Sequence, residues 1–129
     1  MIALTKPLGL VPVHHDIRPE NVMRRGHRLL LIDAYPVSLG LAFADVSCAG
    51  LYFAPQGEVA QGLQRAASLY GVAPSEMRAY YAVAFLKLAR RAGVVLEQWL
   101  RAPARVQRQE ATRIETILVD AEQAFALAG

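Results

Sequence analysis

The sequence predicts a mostly helical α+β domain, in which a small β-hairpin near the N-terminus is followed by a helical bundle. Two observations carry this prediction. Short apolar runs at residues 22–23 and 29–32 flank a polar turn that contains Gly26, a pattern typical of a β-hairpin. From residue 58 onwards, apolar residues recur at helical spacing, with Gly or Pro at the ends of the stretches. A chain of 129 residues fits one domain with one hydrophobic core.

The elements are expected in a simple order along the chain. Residues 8–13 are apolar, lie between two prolines and predict a strand or an extended entry, whereas residues 14–21 follow neither strand nor helix periodicity and predict a loop. Asp33 stands at the end of the second hairpin strand. The expected helices cover residues 41–52, 58–70, 74 to about 93, and about 104–128.

The composition excludes several classes of function. The net charge is +3, but the arginines are scattered and no aromatic residues alternate with them, so we expect no nucleic-acid partner. Asp33 and Asp45 interrupt the apolar stretch between residues 29 and 53, so we expect no membrane span. The single cysteine, Cys48, allows no intrachain disulfide, and we expect a reducing, cytoplasmic location.

The loop at residues 14–21 combines residue types that phosphoryl transfer requires. That reaction needs a carboxylate to hold the acceptor hydroxyl and oxygen ligands for the divalent metals that bind the nucleotide phosphates. Asp16 and Asn21 are five residues apart on one loop, and Asp33 follows the adjacent hairpin. Mg²⁺ suits such hard oxygen ligands. The sequence therefore predicts that Asp16, Asn21 and Asp33 converge on one site.

The run His14-His15-Asp16-Ile17-Arg18-Pro19-Glu20-Asn21 resembles the catalytic loop of protein kinases, which is followed by an Asp-Phe-Gly aspartate. It resembles even more closely the aminoglycoside phosphotransferase and choline kinase family. In that family a His-Gly-Asp-Leu-His-Pro-x-Asn run is followed by Ile-Asp, as in Ile32-Asp33 here. A later segment, residues 42–46, is similar to the family's Asp-Leu-Ala helix start. The resemblance covers nearly the whole chain but only the C-terminal lobe of the family's fold.

The resemblance implies a role for each matching residue. Asp16 would orient or deprotonate the acceptor hydroxyl, and Arg18 would meet the transferred phosphate. Asn21 and Asp33 would hold Mg²⁺ and, through it, ATP or GTP. His14 and Asp45 would brace the loop. His15 departs from the Arg and the Gly of the two patterns, so its role stays open.

The resemblance also divides the expected single domain, residues 1–129, into two parts. Residues 1–35 would carry the catalytic loop and the metal-binding hairpin, and residues 36–129 would form the helical part of a kinase-like C-lobe. Structural interpretations of the same residues stay open beside it. They are a zinc site in the His-His-Asp cluster, a helix cap at Asp45 and a core position for the Tyr80-Tyr81 pair.

A kinase of this family also has a strand-rich N-terminal lobe with a lysine that pairs with the nucleotide phosphates. Only thirteen residues precede His14, Lys6 is too close to the loop, and Lys87 lies in a late helix. We therefore expect the C-terminal lobe of a small-molecule kinase that acts on a hydroxyl-bearing substrate and is incompetent alone. The alternatives are a non-catalytic, kinase-derived protein-interaction module and an unrelated helical domain with a chance motif.

An association is expected as well. Apolar residues make up 54% of the chain and charged residues 19%, which suggests that a partner covers some apolar surface. The apolar residues 8–13 would form an open strand at the edge that the N-lobe covers in a complete kinase. We expect a homodimer, or a complex with a separate N-lobe chain, that buries this segment.

Overall fold

The computed structural model describes residues 10–33 and 37–129 of the chain. It confirms the predicted α+β class with a predominance of helix. The elements are β1 (Leu10–Val13), β2 (Val22–Arg25), β3 (Arg28–Leu31), β4 (Ser38–Leu41), α1 (Phe43–Tyr52), α2 (Val59–Tyr70), α3 (Met77–Arg101) and α4 (Ala104–Ala128). Short 3-10 turns at Pro19–Asn21 and Pro74–Glu76 lead into β2 and α3.

The predicted hairpin is formed by β2 and β3, which pair antiparallel with Arg25 opposite Arg28. Gly26 and His27 make the connection, and Gly26 has a φ of 61°, which a residue without a Cβ adopts at little cost. The side chains of β3 are all exposed, and Leu29 is 72% accessible to solvent. The hairpin therefore projects from the domain without packing into a core.

A second two-stranded sheet differs from the sequence prediction. We expected residues 8–13 to be an open strand, but β1 pairs antiparallel with β4, and residues 8–9 lie outside the described residues. β4 falls in the part that was predicted to be helical, residues 36–129. Gly40 permits this pairing, because a Cβ there would lie 2.8 Å from Val13 Cγ2 and 3.4 Å from the His15 ring.

The helix ends follow the sequence in part. α2 ends at Gly71, whose φ of 82° is the left-handed conformation of a helix C-terminus. α4 has the predicted bounds. The prediction that the preceding helix ends near Gly93 is wrong, since α3 continues to Arg101. Gly93 lies on an open face, where no atom comes within 4 Å of an added Cβ.

The core lies among the four helices of the described chain. Tyr80 is fully buried and donates a hydrogen bond from its hydroxyl to the Leu63 carbonyl at 2.9 Å, which fixes α3 against α2. Its ring also makes an edge-to-face contact with the ring of Phe43 on α1, with 6.2 Å between the centroids. Tyr81 is partly buried against the same core. Within the described residues, no helix has the length and apolarity needed to cross a bilayer.

Candidate functional site

The loop after β1 is attached to the first turn of α1 by Asp45. One carboxylate oxygen of Asp45 accepts a hydrogen bond from the backbone N–H of His14 and the other accepts one from the N–H of His15, both at 2.8 Å. Asp45 does not cap its own helix. Of the roles left open by the sequence, the contacts of Asp45 are those of a loop brace and not those of a helix cap.

His15 has an unusual backbone conformation, with a φ of 68°. This left-handed region costs most residues about 1–2 kcal/mol and costs glycine almost nothing. Glycine is the residue that the resembling phosphotransferase motif has at this position. The His15 carbonyl accepts hydrogen bonds from Cys48 Sγ at 3.3 Å and Lys87 Nζ at 3.4 Å, and its ring contacts the Ser38 hydroxyl at 2.6 Å. Contacts from three elements thus hold the strained residue.

Asp16, Arg18 and Asn21 form a connected polar cluster. The Asn21 side-chain amide donates to the Asp16 carbonyl at 3.0 Å and to Asp16 Oδ2 at 2.9 Å. The Arg18 guanidinium pairs with the same Oδ2 at 2.9 Å. Asn21 is buried, whereas Asp16 and Arg18 are partly exposed. Both donors bind Oδ2, so Asp16 Oδ1 can accept a hydrogen bond from a further donor.

His14 connects the loop to the end of the hairpin. Its Nε2 lies 2.9 Å from the Ile32 carbonyl, which can only accept, so Nε2 carries a proton. Its Nδ1 accepts the backbone N–H of Asp16 at 3.3 Å. The Ile32 N–H in turn donates to the Asn21 carbonyl at 2.9 Å. The residue before Asp33 is therefore bonded to both ends of the loop.

Asp33 has a φ of 58°, the second non-glycine residue with a left-handed backbone in the described part of the chain. Such strain is concentrated at functional sites, where the surrounding structure enforces it. Asp33 is exposed. The residue before it, Ile32, donates its backbone N–H to the Asn21 carbonyl, so the backbone connects Asp33 to Asn21. The loop and the hairpin end are thus brought together by the backbone.

The donor set fits Mg²⁺ better than Zn²⁺. Asn21 uses its amide nitrogen toward Asp16, so its Oδ1 would be free to act as a neutral oxygen ligand, and Asp33 would supply a carboxylate. Both ring nitrogens of His14 and the Nε2 of His15 already have hydrogen-bond partners. Over residues 10–33 and 37–129 there is no group of three His, Cys, Asp or Glu residues placed to hold a metal ion.

Sequence reasoning missed the contacts of Lys87 and Cys48. Lys87 lies in a late helix, far from the loop in sequence, yet its ammonium group donates a hydrogen bond to the His15 carbonyl, 72 positions away. Cys48 is buried as expected for a core residue, and this burial raises the pKa of its thiol, with Lys87 opposing the rise. No local pattern marks such contacts. Lys6 lies outside the described residues.

Two cavities adjoin the loop. The larger, about 670 Å³, is a mostly apolar groove between α1 and α2 that Asp45 and Ile17 border. The smaller, about 230 Å³, lies between the loop and helices α3 and α4, and Arg18 and Glu20 line it from the loop side. The smaller cavity is the one that the Asp16–Arg18 ion pair borders through Arg18. Asp16 lines neither cavity, and the smaller one is connected to it through the Arg18 guanidinium.

Comparison of the chain with protein-family models, with curated proteins and with solved structures found no match. The functional interpretation therefore rests on the motif and on the contacts described above.

Proposed function

We propose that this chain is the C-terminal lobe of a small-molecule kinase, which transfers a phosphoryl group from ATP or GTP to a hydroxyl group. The observation that carries the proposal is the Asn21 amide, which binds Asp16 through both its backbone and its carboxylate. A structural loop has no evident need for a buried asparagine that orients a partly exposed acid. Phosphoryl transfer requires an oriented acid beside an oxygen ligand for a metal.

Each residue of the cluster has a distinct task in this proposal. Asp16 Oδ1 accepts the proton of the acceptor hydroxyl as the hydroxyl oxygen attacks the γ-phosphorus, and the bond from that phosphorus to the bridging oxygen breaks to release the nucleoside diphosphate. Arg18 holds Asp16 Oδ2 and can also meet the transferred phosphoryl oxygens. Asn21 and Asp33 would hold Mg²⁺, which neutralises charge on the nucleotide phosphates. Asp45 and His14 keep the loop in place.

The nucleotide also needs a cover that the described residues do not provide. In kinases a strand-rich lobe with a phosphate-pairing lysine closes over the nucleotide. Within residues 10–33 and 37–129 the strands form only two separate pairs. Lys87, on α3, has its ammonium group at the His15 carbonyl. We therefore expect weak nucleotide binding by this chain alone and tighter binding when an N-lobe is supplied by a partner chain.

Calorimetry with ATP in the presence and absence of Mg²⁺ tests this function. We expect binding that requires Mg²⁺ and is lost in Asp33→Asn, because the substitution removes the charged ligand. Glu20→Gln is the matched control, since it removes an acid from the same loop without touching the proposed ligands. Binding that persists in Asp33→Asn, or that is equal without Mg²⁺, would contradict the proposal.

The second candidate is a non-catalytic module for protein contacts. It is favoured by the apolar side chains that the strands leave exposed, among them Leu10, Leu29 and Leu39 at 60%, 72% and 67% accessibility. Exposed apolar clusters mark interaction surfaces. Either candidate predicts a homodimer or a complex with an N-lobe chain that covers β1. Sedimentation of this chain at micromolar concentration tests the homodimer, and a monomer over the whole concentration range would exclude it and leave only the complex with a separate N-lobe chain.

A further inference from the structure

The smaller cavity has a charged lining that the proposed chemistry does not by itself require. Its walls come from the loop, the end of α1, the following turn and the facing sides of α3 and α4. Its charged lining residues are Arg18, Glu20, Arg91, Arg113 and Asp120. Three guanidinium groups therefore face two acids. A volume of about 230 Å³ lies below the ~300–1,000 Å³ that is usual for drug-sized ligands, so the occupant is small.

The three arginines differ in how they are held. Arg18 is paired with Asp16, and Arg113 is paired with Glu110 at 3.2 Å within α4. Arg91 lies over the ring of Tyr52, 5.1 Å from its centroid, and has no ion pair with any residue of the described chain. A guanidinium group near an aromatic ring can still donate its N–H groups to an oxygen anion. Arg91 is thus an exposed guanidinium group that an anion in the cavity can reach.

Asp120 contributes a hydrogen-bond acceptor to the cavity, whereas the arginines contribute donors. Its Oδ1 is buried and has no hydrogen-bond partner within residues 10–33 and 37–129. A buried polar atom without a partner is uncommon in native proteins and costs free energy unless water or another polar group satisfies it. Burial also raises the pKa of the Asp120 carboxyl, against the opposing effects of the Gly57 backbone and the Arg91 charge. Asp120 as a residue lines the cavity, so the accessible part of its carboxylate can accept a hydrogen bond there.

The cavity is connected to the reacting end of the site. Arg18 borders the cavity and its guanidinium binds Asp16 Oδ2 at 2.9 Å. Arg18 is thus the lining residue that connects the cavity to the carboxylate that would take the hydroxyl proton. Asp16 itself does not line the cavity, which ends one guanidinium group away from this proposed general base.

We propose that the phosphate acceptor is a small polyhydroxylated molecule with its own carboxylate or phosphate group, which Arg91 and Arg113 bind while Asp120 accepts one of its hydroxyls. This inference rests on the proposed function and adds a substrate class to it. Guanidinium groups match both kinds of anion through paired N–H donors. A cationic amino-alcohol or amino-sugar acceptor is disfavoured, since the lining has three guanidinium groups against two acids and so carries a net positive charge.

Calorimetry of the whole chain with four probes, without nucleotide or Mg²⁺, tests the inference. The probes are glycerol 3-phosphate, glycerate, glycerol and choline. We expect the two anions to bind and the two other compounds not to bind, and the tighter anion identifies which group the acceptor carries. Because no nucleotide is present, this result is independent of whether the chain binds Mg²⁺ and ATP, so the two proposals can fail separately.

Variants on α3 and α4 locate the binding. Arg91→Gln and Arg113→Gln should each weaken glycerol 3-phosphate about tenfold or more, the loss expected for a charge-assisted hydrogen bond. Arg90→Gln is the matched control, because Arg90 is exposed, is the neighbour of Arg91 and lines neither cavity. Equal weakening by Arg90→Gln, tighter binding of choline than of the anions, or equal affinity for inorganic phosphate and glycerol 3-phosphate would overturn the inference.

Discussion

The helices and the strands of this protein differ in what covers their apolar side chains. In the helical part, residues such as Leu63, Tyr80 and Ala84 are fully buried against one another. In the strands, Val13 is buried but most apolar side chains are exposed, including Leu29 and Leu39. The helices therefore share one buried core, although side chains such as Leu69 and Phe125 stay exposed, whereas the strands bury little and present a surface that another structure can cover. The candidate site lies at the junction of these two parts.

The largest change in the free energy of unfolding should come from a substitution in the helical core. Leu63→Ala removes a fully buried side chain beside Tyr80 and should lower the free energy of unfolding by about 2–5 kcal/mol. Leu29→Ala, the same change in the exposed hairpin, should lower it by less than about 0.5 kcal/mol. Urea denaturation of both variants measures the contrast. Similar losses in the two variants would show that the hairpin packs against something in the free chain.

A smaller effect is expected at the junction. Asp45→Ala removes the acceptor of two backbone hydrogen bonds, each of which is worth about 1.5–3 kcal/mol when one partner is charged and partly shielded. Partial exposure of Asp45 favours the lower end of that range. Hydrogen exchange should speed up at the His14 and His15 amides and stay unchanged in α4. Unchanged exchange at His14 and His15 would contradict the bracing role.

The smallest change in stability is expected for a substitution in α3 at a position away from the candidate site. Gly93→Ala should stabilise the protein by about 0.5–1 kcal/mol, because α3 is helical there and nothing meets the added Cβ. Gly62→Ala is the matched control and should destabilise, since its Cβ would collide with Ala54 Cβ and the Gly50 carbonyl. Thermal unfolding measures both. A loss of stability in Gly93→Ala would mean that α3 does not continue through this residue.

Local signals explain which elements the sequence could predict. The hairpin is specified by apolar runs around a turn with Gly26, and α2 is ended by Gly71, so both follow from neighbouring residues. β4 could not be predicted, because it contains four residues, includes Gly40 and exists only through its pairing with β1 about 28 positions earlier. Gly93 misled the prediction of α3, since a single glycine lowers helix stability by only about 1 kcal/mol.

The candidate site was predictable to a similar degree. The Asp16–Asn21 spacing predicted a shared polar cluster, and the structure has a direct hydrogen bond between their side chains. The hydrogen bonds to the His15 carbonyl were not predictable, because their donors, Cys48 and Lys87, lie on two helices that are distant in sequence. The charged lining of the smaller cavity was missed for the same reason. It joins Arg18 to Arg91 and Asp120, which no sequence motif connects.

The most direct test of the central claim is to locate a metal ion on the protein. Mn²⁺, a paramagnetic substitute for Mg²⁺, should broaden the backbone amide signals of Asn21 and Asp33 more than any others in a nuclear magnetic resonance titration. The broadening should disappear in Asp33→Asn and persist in Glu20→Gln. Broadening centred elsewhere, or spread evenly over the acidic residues, would contradict the assignment of Asn21 and Asp33 as the metal ligands of a phosphotransferase site.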